Sequence, residues 1–291
     1  MQESHFQAAT LLEALPYIQK FNGATFVIKY GGSFMDSPDP AIRARCRPRC
    51  GLPRSSRAQS SRGPRRGEAI TRAMEKAGLK ATFVQGQRVT DERAVAVVDQ
   101  VLSREINPEV VATINSLGGE AKGFAGTEIF TCRKLLANGP GGASFDLGYV
   151  GEVTSVNTAP LLECIGEGIT PVISPTARSA EGHIYNCNAD VAAAQVAIAL
   201  AAKRLVFMSD VPGLLRDPND ASTVIPHLRA DEVTELKRTG VIDKGMIPKV
   251  DSAVRAIQAG VEKVSFVDGR VPHAVLLEIF TDAGIGTEVV L

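Results

Sequence analysis

Residues 186–209 read NCNADVAAAQVAIALAAKRLVFMS. Asn186, Asn188 and Asp190 stand at alternate positions and open an Ala/Val run over 189–202, after which 204–209 turns to Leu, Val, Phe and Met. The first run predicts a helix and the second a strand covered on both faces, because buried parallel strands are continuously apolar and do not alternate. A further apolar strand is predicted upstream at 171–174. Strand, helix and strand in this order form a βαβ unit.

The same alternation continues outward. Toward the N-terminus, Leu11, Leu12, Leu15, Ile18 and Phe21 recur at helical spacing before a strand-like run at 25–28. Pro16 lies inside that helix and predicts a kink, since proline removes a donor and crowds the preceding turn. A helix over 69–77, a strand over 80–84 and helices over 91–104 and 108–117 follow, and Gly118-Gly119 ends the last. Short strands and turns are predicted over 128–156, with a loop from Asn138 to Gly142, then a helix over 159–166. Beyond the opening stretch come helices over 230–239 and 248–259 and a strand over 263–267. This is an α/β pattern, a three-layer sandwich whose mainly parallel sheet lies between two helical layers. Ligands on such sheets bind outside the carboxyl ends of the strands.

Composition narrows the function classes. The 291 residues are 44% hydrophobic, enough for a sizeable core, and 32 basic residues balance 32 acidic ones. Zero net charge removes the field that would draw nucleic acid or an anionic membrane, so any anion must be held locally. Five scattered cysteines, an odd number, and an N-terminus without a signal-like segment argue against a secreted disulfide framework. No apolar run approaches the ~20 residues of a membrane span. A cytoplasmic location is expected.

Three clusters sit where the ligand rule points. Lys29-Tyr30-Gly31-Gly32-Ser33 ends the first strand; glycines let backbone N–H groups reach phosphate oxygens and the lysine balances their charge, although a plain tight turn looks the same. In 186–190, Asn188 or Asp190 can be a helix N-cap, or the aspartate can orient lysines or join a magnesium site. Lys249 follows Lys244-Gly245-Met246-Ile247-Pro248 just inside a helix start, where it opposes the macrodipole unless an anion is near; a solvated lysine is the bland alternative.

These clusters, with Gly86-Gln87-Arg88-Val89-Thr90-Asp91, Asp146-Leu147-Gly148-Tyr149-Val150-Gly151-Glu152-Val153 and Ser209-Asp210-Val211-Pro212-Gly213-Leu214, occur in an order that resembles the N-acetyl-L-glutamate kinases of the amino-acid kinase family. The resemblance runs from about residue 8 to the end with one gap. It implies ATP-dependent phosphorylation of the γ-carboxylate of N-acetyl-L-glutamate in arginine biosynthesis, with ATP carried as its Mg2+ complex and no metal held by the protein. Lys29, Asp190 and Lys249 would be catalytic. Arg88, Asn186 and Gly67 would contact substrate, and Gly31, Gly32, Ser209, Asp210, Gly213 and Lys249 the nucleotide. No general base is expected, because a γ-carboxylate is ionised at neutral pH.

The resemblance also implies a kinked oligomerisation helix (1–22), an acetylglutamate-binding lobe (23–185) and an ATP-binding lobe (186–291). Residues 273–287 resemble the arginine-sensitive branch, which implies a homohexamer, a trimer of dimers, inhibited by L-arginine through Tyr17, His273, Glu278, Gly284 and Gly286. Neither nucleic acid nor membrane is an expected partner. The alternatives are a catalytically inactive, arginine-sensing homologue, and another amino-acid kinase.

Residues 45–67 break the resemblance. They carry eight arginines, no lysine, no acidic residue and a single large aliphatic, Leu52. The family has a helix, a buried strand and a His-Gly-Gly-Gly loop there, of which only Gly67 could remain. Ser61-Arg62-Gly63-Pro64-Arg65-Arg66 can be encoded AGT CGT GGT CCA CGG CGG, and reading one base later gives Val-Val-Val-His-Gly and the first two bases of a glycine codon. A compensated pair of frameshifts, in the gene or in its sequencing, explains why both flanks stay intact. A disordered insertion, a polyanion-binding arm and a metal site at Cys46 and Cys50 fit less well, since lysines, aromatics and further ligands are missing.

Overall fold

The computed structural model describes residues 15–31, 66–79, 82–84, 87–138, 144–243, 245–281 and 284–291. Gly32, Leu11, Leu12, most of the arginine-rich segment and the centre of the 138–142 loop lie outside them. The strands are β1 (Phe26–Lys29), β2 (Thr82–Val84), β3 (Gln87–Val89), β4 (Ala121–Phe124), β5 (Phe130–Asn138), β6 (Ser144–Val156), β7 (Thr170–Ile173), β8 (Thr176–Ser179), β9 (Ile184–Cys187), β10 (Arg204–Ser209), β11 (His227–Arg229), β12 (Lys263–Asp268) and β13 (Thr287–Val290). The helices are α1 (Arg66–Lys76), α2 (Glu92–Asp99), α3 (Asn107–Ser116), α4 (Gly126–Ile129), α5 (Ala159–Gly166), α6 (Ala189–Ala199), α7 (Val233–Arg238), α8 (Met246–Gln258) and α9 (Ala274–Ile279). Residues 15–20 are also helical.

The largest sheet has the order β1-β10-β12-β13-β11, with β1, β10 and β12 parallel. Its faces are built by alternation. Leu205, Phe207, Val264 and Phe266 join the core that holds Val250, Ala253 and Ala256 of α8, while Val206, Met208 and Val267 face the opposite way onto Ala274 of α9. Helices therefore cover both faces, which is why these strands read as mostly apolar runs. Phe207 and Phe266 stack at 5.5 Å between centroids. Burying each phenylalanine contributes roughly 1.5–3 kcal/mol.

A second core gathers Phe130, Cys132, Val153, Ala177, Tyr185 and Cys187 in the closed barrel β5-β6-β9-β8. Helix α6 serves both cores: Ala194 and Ala197 belong to the first, Ala192 and Val196 to the second. A helix buried on opposite sides must be apolar all round and slim, and this accounts for the Ala/Val run. Its N-terminus, with Asp190, is thereby placed between the two cores.

Several elements differ from expectation. Within 128–156, β5 and β6 pair as one long antiparallel ladder instead of short strands and turns. Residues 92–116 are a single helical path in which Gln100–Ile106 widens to π geometry, so the amide of Asn107 reaches the carbonyl of Leu102. Pro108 has no amide and its ring crowds the turn before it; the wider turn accommodates both effects without ending the helix. Strand β13 inserts antiparallel beside β12 and carries β11 on its far side. Strand β1 pairs with β10, in a sheet whose other strands all come from beyond residue 186.

Candidate active site

At the start of α6 the cap and the charge belong to different residues. Asn188 has extended backbone and its side chain accepts from the amides of Asp190 (2.8 Å) and Val191 (3.2 Å). Such a cap is worth about 1 kcal/mol. With capping done by Asn188, the Asp190 carboxylate is left for other partners.

Those partners are the two lysines. Lys249 donates to Oδ2 of Asp190 at 2.8 Å, and the ammonium of Lys29 stands 3.0 Å from Oδ1 and 3.4 Å from the carbonyl of Gly31. Lys29 ends β1 and Lys249 lies in the opening turns of α8, so three elements distant in sequence converge. Asp190 is only 7% exposed. Burial pushes its carboxyl up, but the fields of Lys29 and Lys249 and their hydrogen bonds outweigh that and hold it below the usual carboxylate range. The same contact offsets the conflict between Lys249 and the α8 macrodipole. Two ammonium groups around one carboxylate leave a net positive site, partly buried, beside the N-terminus of α6. An anion is favoured there by both the charge and the helix end.

The nucleotide-assigned turn lies along the same carboxyl edge. Ser209 pairs in register with Asp268, and its carbonyl accepts from the amide of Gly269 at 2.8 Å. Buried Ser209 donates to the carbonyl of Val211 at 3.1 Å, while Asp210 is exposed. The segment ends at Leu214, whose amide donates to Oγ1 of fully buried Thr287 at 2.8 Å. Nothing in the local sequence flags Thr287; its role depends on β13 lying beside β12.

The substrate-assigned residues are indexed by β6. Asn186 on β9 pairs with Val150, and Arg88 on β3, opposite Phe83, is two residues before Thr90, which bridges to Gly148. Gly67 is the second residue of α1.

Of the effector-assigned residues, Glu278 and Gly284 meet. Buried Glu278 accepts from Ser265 Oγ at 2.7 Å and from the Ile285 amide at 3.0 Å, and Lys263 pairs with it at 3.2 Å. Gly284, with φ of +62°, lies against this carboxylate, where a Cβ would come within 2.6 Å of Oε2. Glu278 is thus satisfied inside the protein. Tyr17 meets Phe280 edge-on at 6.2 Å, His273 is exposed in a left-handed conformation at the start of α9, and Gly286 just precedes β13.

The profile of the amino acid kinase family matches residues 24–268, a span that begins just before β1 and closes at the end of β12. The chain belongs to the amino acid kinase family. Among amino acid kinases, it is 41% identical to the acetylglutamate kinase of Akkermansia muciniphila over 98% of this chain and 95% of that protein. It is likewise 41% identical to the acetylglutamate kinase of Halothermothrix orenii over 99% and 98% of the two chains. Among solved structures, it resembles an N-acetylglutamate synthase from Neisseria gonorrhoeae, complexed with coenzyme A and N-acetyl-glutamate. That match has a TM-score of 0.76 at 25% identity and covers 98% of this chain and 63% of that one. The α/β architecture with mainly parallel strands is that of these kinases. Among the described residues, no helix is long and apolar enough to cross a membrane.

Proposed function

We propose that this chain, once residues 45–67 are restored to the family pattern, transfers the γ-phosphoryl group of ATP to the γ-carboxylate of N-acetyl-L-glutamate, an arginine-biosynthetic step that yields an acyl phosphate. The Lys29–Asp190–Lys249 arrangement carries the phosphoryl-transfer part of the reading, and the full-length likeness to acetylglutamate kinases carries the acceptor.

In this reading the lysines flank the transferring group and neutralise the charge that spreads over its oxygens, while Asp190 fixes the distance between them. Positioning and electrostatic stabilisation supply most of the catalysis in phosphoryl transfer. The acceptor carboxylate attacks in line and ADP leaves; no side chain has to take a proton. Both Asp190 oxygens face ammonium groups. Among the described residues no three carboxylate, histidine or cysteine groups converge. A magnesium ion would come with the nucleotide and would neutralise phosphate charge there.

Arg88 is the clamp for a substrate carboxylate, a role its planar fork suits better than lysine would. Asn186 contacts the acetylamino acid, and the Gly31-Gly32 and Ser209–Gly213 segments line the nucleotide. L-Arginine acts as inhibitor in a hexamer built through residues 1–22; the contact of Tyr17 with Phe280 supports a link between that helix and α9. Trapping the acyl phosphate with hydroxylamine tests the reaction. In the restored chain, N-acetylglutamate should give hydroxamate where aspartate, glutamate and carbamate do not; equal turnover of free glutamate would defeat the assignment.

The arginine-rich segment favours a second reading, a homologue that binds but does not catalyse. Sequencing the gene across codons 43–68 separates the two.

A further inference from the structure

Among the described residues, the backbone pairing that ties the hairpin of Arg88 to the barrel runs through Thr90. Strands β2 and β3 pair only with each other among the described residues, and the next residue, Thr90, forms an isolated parallel bridge with Gly148 of β6. Thr90 donates its amide to the carbonyl of Leu147 at 3.0 Å, and its carbonyl accepts from Tyr149 at 2.6 Å. It is fully buried.

Gly148 allows this contact for two reasons. Its φ is +75°, in the left-handed region that L side chains avoid, and a Cβ would stand 2.2 Å from the Thr90 carbonyl oxygen. Backbone cannot yield as a flexible side chain can, so any other residue must push Thr90 away. The turn is held in place by Asp146, whose Oδ1 accepts from the Gly148 amide at 2.7 Å while Oδ2 takes Lys134 at 2.7 Å. Beyond the bridge, Asp91 caps α2 through the amide of Ala94 at 2.7 Å, so the far side of Thr90 is also anchored.

Two residues further along β6, Val150 is the register partner of Asn186, which lies four residues before Asp190. One strand therefore sets both the hairpin of Arg88 and the strand of Asn186. We infer that Gly148 is a positioning residue for the acceptor substrate: by letting Thr90 close onto β6, it fixes Arg88 relative to Asn186 and Asp190. The inference rests on the reading of Arg88 as the carboxylate clamp. It also links the segments 86–91 and 146–153, which meet where Thr90 bridges Gly148.

The test uses Gly148→Ala in the full-length chain, with Asp146→Asn as a milder variant that keeps glycine at 148. Hydrogen exchange on the chain as it stands should show the Tyr149 amide exchanging about tenfold faster in Gly148→Ala, with amides of β10 and β12 unchanged. In the chain with residues 45–67 restored from a relative, KM for N-acetylglutamate should rise about tenfold, with kcat and KM for ATP within about threefold of the parent. Asp146→Asn should move KM in the same direction by less. An unchanged Tyr149 amide, or equal loss of all kinetic parameters with a lowered melting temperature, overturns the positioning role. Arg88→Lys is run alongside. If it raises KM for N-acetylglutamate and Gly148→Ala does not, the positioning role alone fails; if Arg88→Lys changes nothing, the clamp reading has failed and takes the inference with it.

Discussion

Lys249 Nζ lies 2.8 Å from Asp190 Oδ2, and the two residues come from the openings of two different helices. Each helix start favours negative charge, yet one of them presents a lysine. The pairing reconciles this, and under the proposed function it fixes an ammonium group where a phosphoryl group would pass. Replacing Asp190 by asparagine, in the chain with residues 45–67 restored, should lower kcat by about 100-fold, or about 2.7 kcal/mol of barrier. A kcat within about twofold of the parent, under ~0.5 kcal/mol, would show that the carboxylate aligns nothing.

The lowered pKa of Asp190 predicts a pH dependence of stability. Its folded-state carboxyl titrates below the ordinary carboxylate value, so the unfolded chain binds the proton first as pH falls. The contribution is complete above the unfolded value, about pH 4, and is lost as pH falls through the lower folded value. Urea unfolding of the parent and of Asp190→Asn should give a constant difference from neutral pH down to about 5 that shrinks below about 4. A difference that vanished between pH 7 and 6 would point to another group.

The sequence as it stands should lack kinase activity. The sequence of residues 45–67 spells neither the His-Gly-Gly-Gly loop nor the apolar strand that the family resemblance implies there. Restoring the segment from a relative should bring hydroxamate formation with it. Purified unrestored protein that forms acyl phosphate as fast as the restored one would make the arginine-rich segment a functional loop.

Deleting residues 1–22 from the restored chain should leave dimers that still phosphorylate N-acetylglutamate but respond more weakly to L-arginine. Leu15 and Ile18, 45% and 50% exposed, are the apolar surface that another subunit would cover. Sedimentation and arginine titration read the result. A truncated protein that stayed hexameric and fully arginine-sensitive would remove the helix from both roles.

Much of the architecture was legible because local pattern and tertiary role agree. The runs at 204–209 and 263–267 are covered on both faces and are therefore mostly apolar, the run at 25–28 forms the half-buried strand β1 at the edge of the described sheet, and the Ala/Val run at 189–202 is buried on opposite sides. The long β5–β6 ladder was not legible. Glycines and exposed polar residues interrupt its alternation, and its pairing is stabilised by a barrel that closes through β8 and β9, distant in sequence. Strand β13 escaped for a similar reason, since its four residues gain their meaning only beside β12.

The chemistry divides along the same line. Residue type and position made Lys29, Asp190 and Lys249 candidates, each with a bland alternative beside it, and the family resemblance implied their catalytic roles. Which polar residue caps α6 and which holds the lysines was open, since Asn188 and Asp190 are both good caps. Only the convergence of β1, α6 and α8 decided it, by placing two ammonium groups around one buried carboxylate. Glu278, by contrast, is bonded to Lys263, Ser265 and the Ile285 amide, groups that no spacing connects to it. A motif names the groups able to do chemistry, but ion pairs form across distances of a few ångströms that the chain spans only after it has folded, and so the partners belong to the tertiary structure.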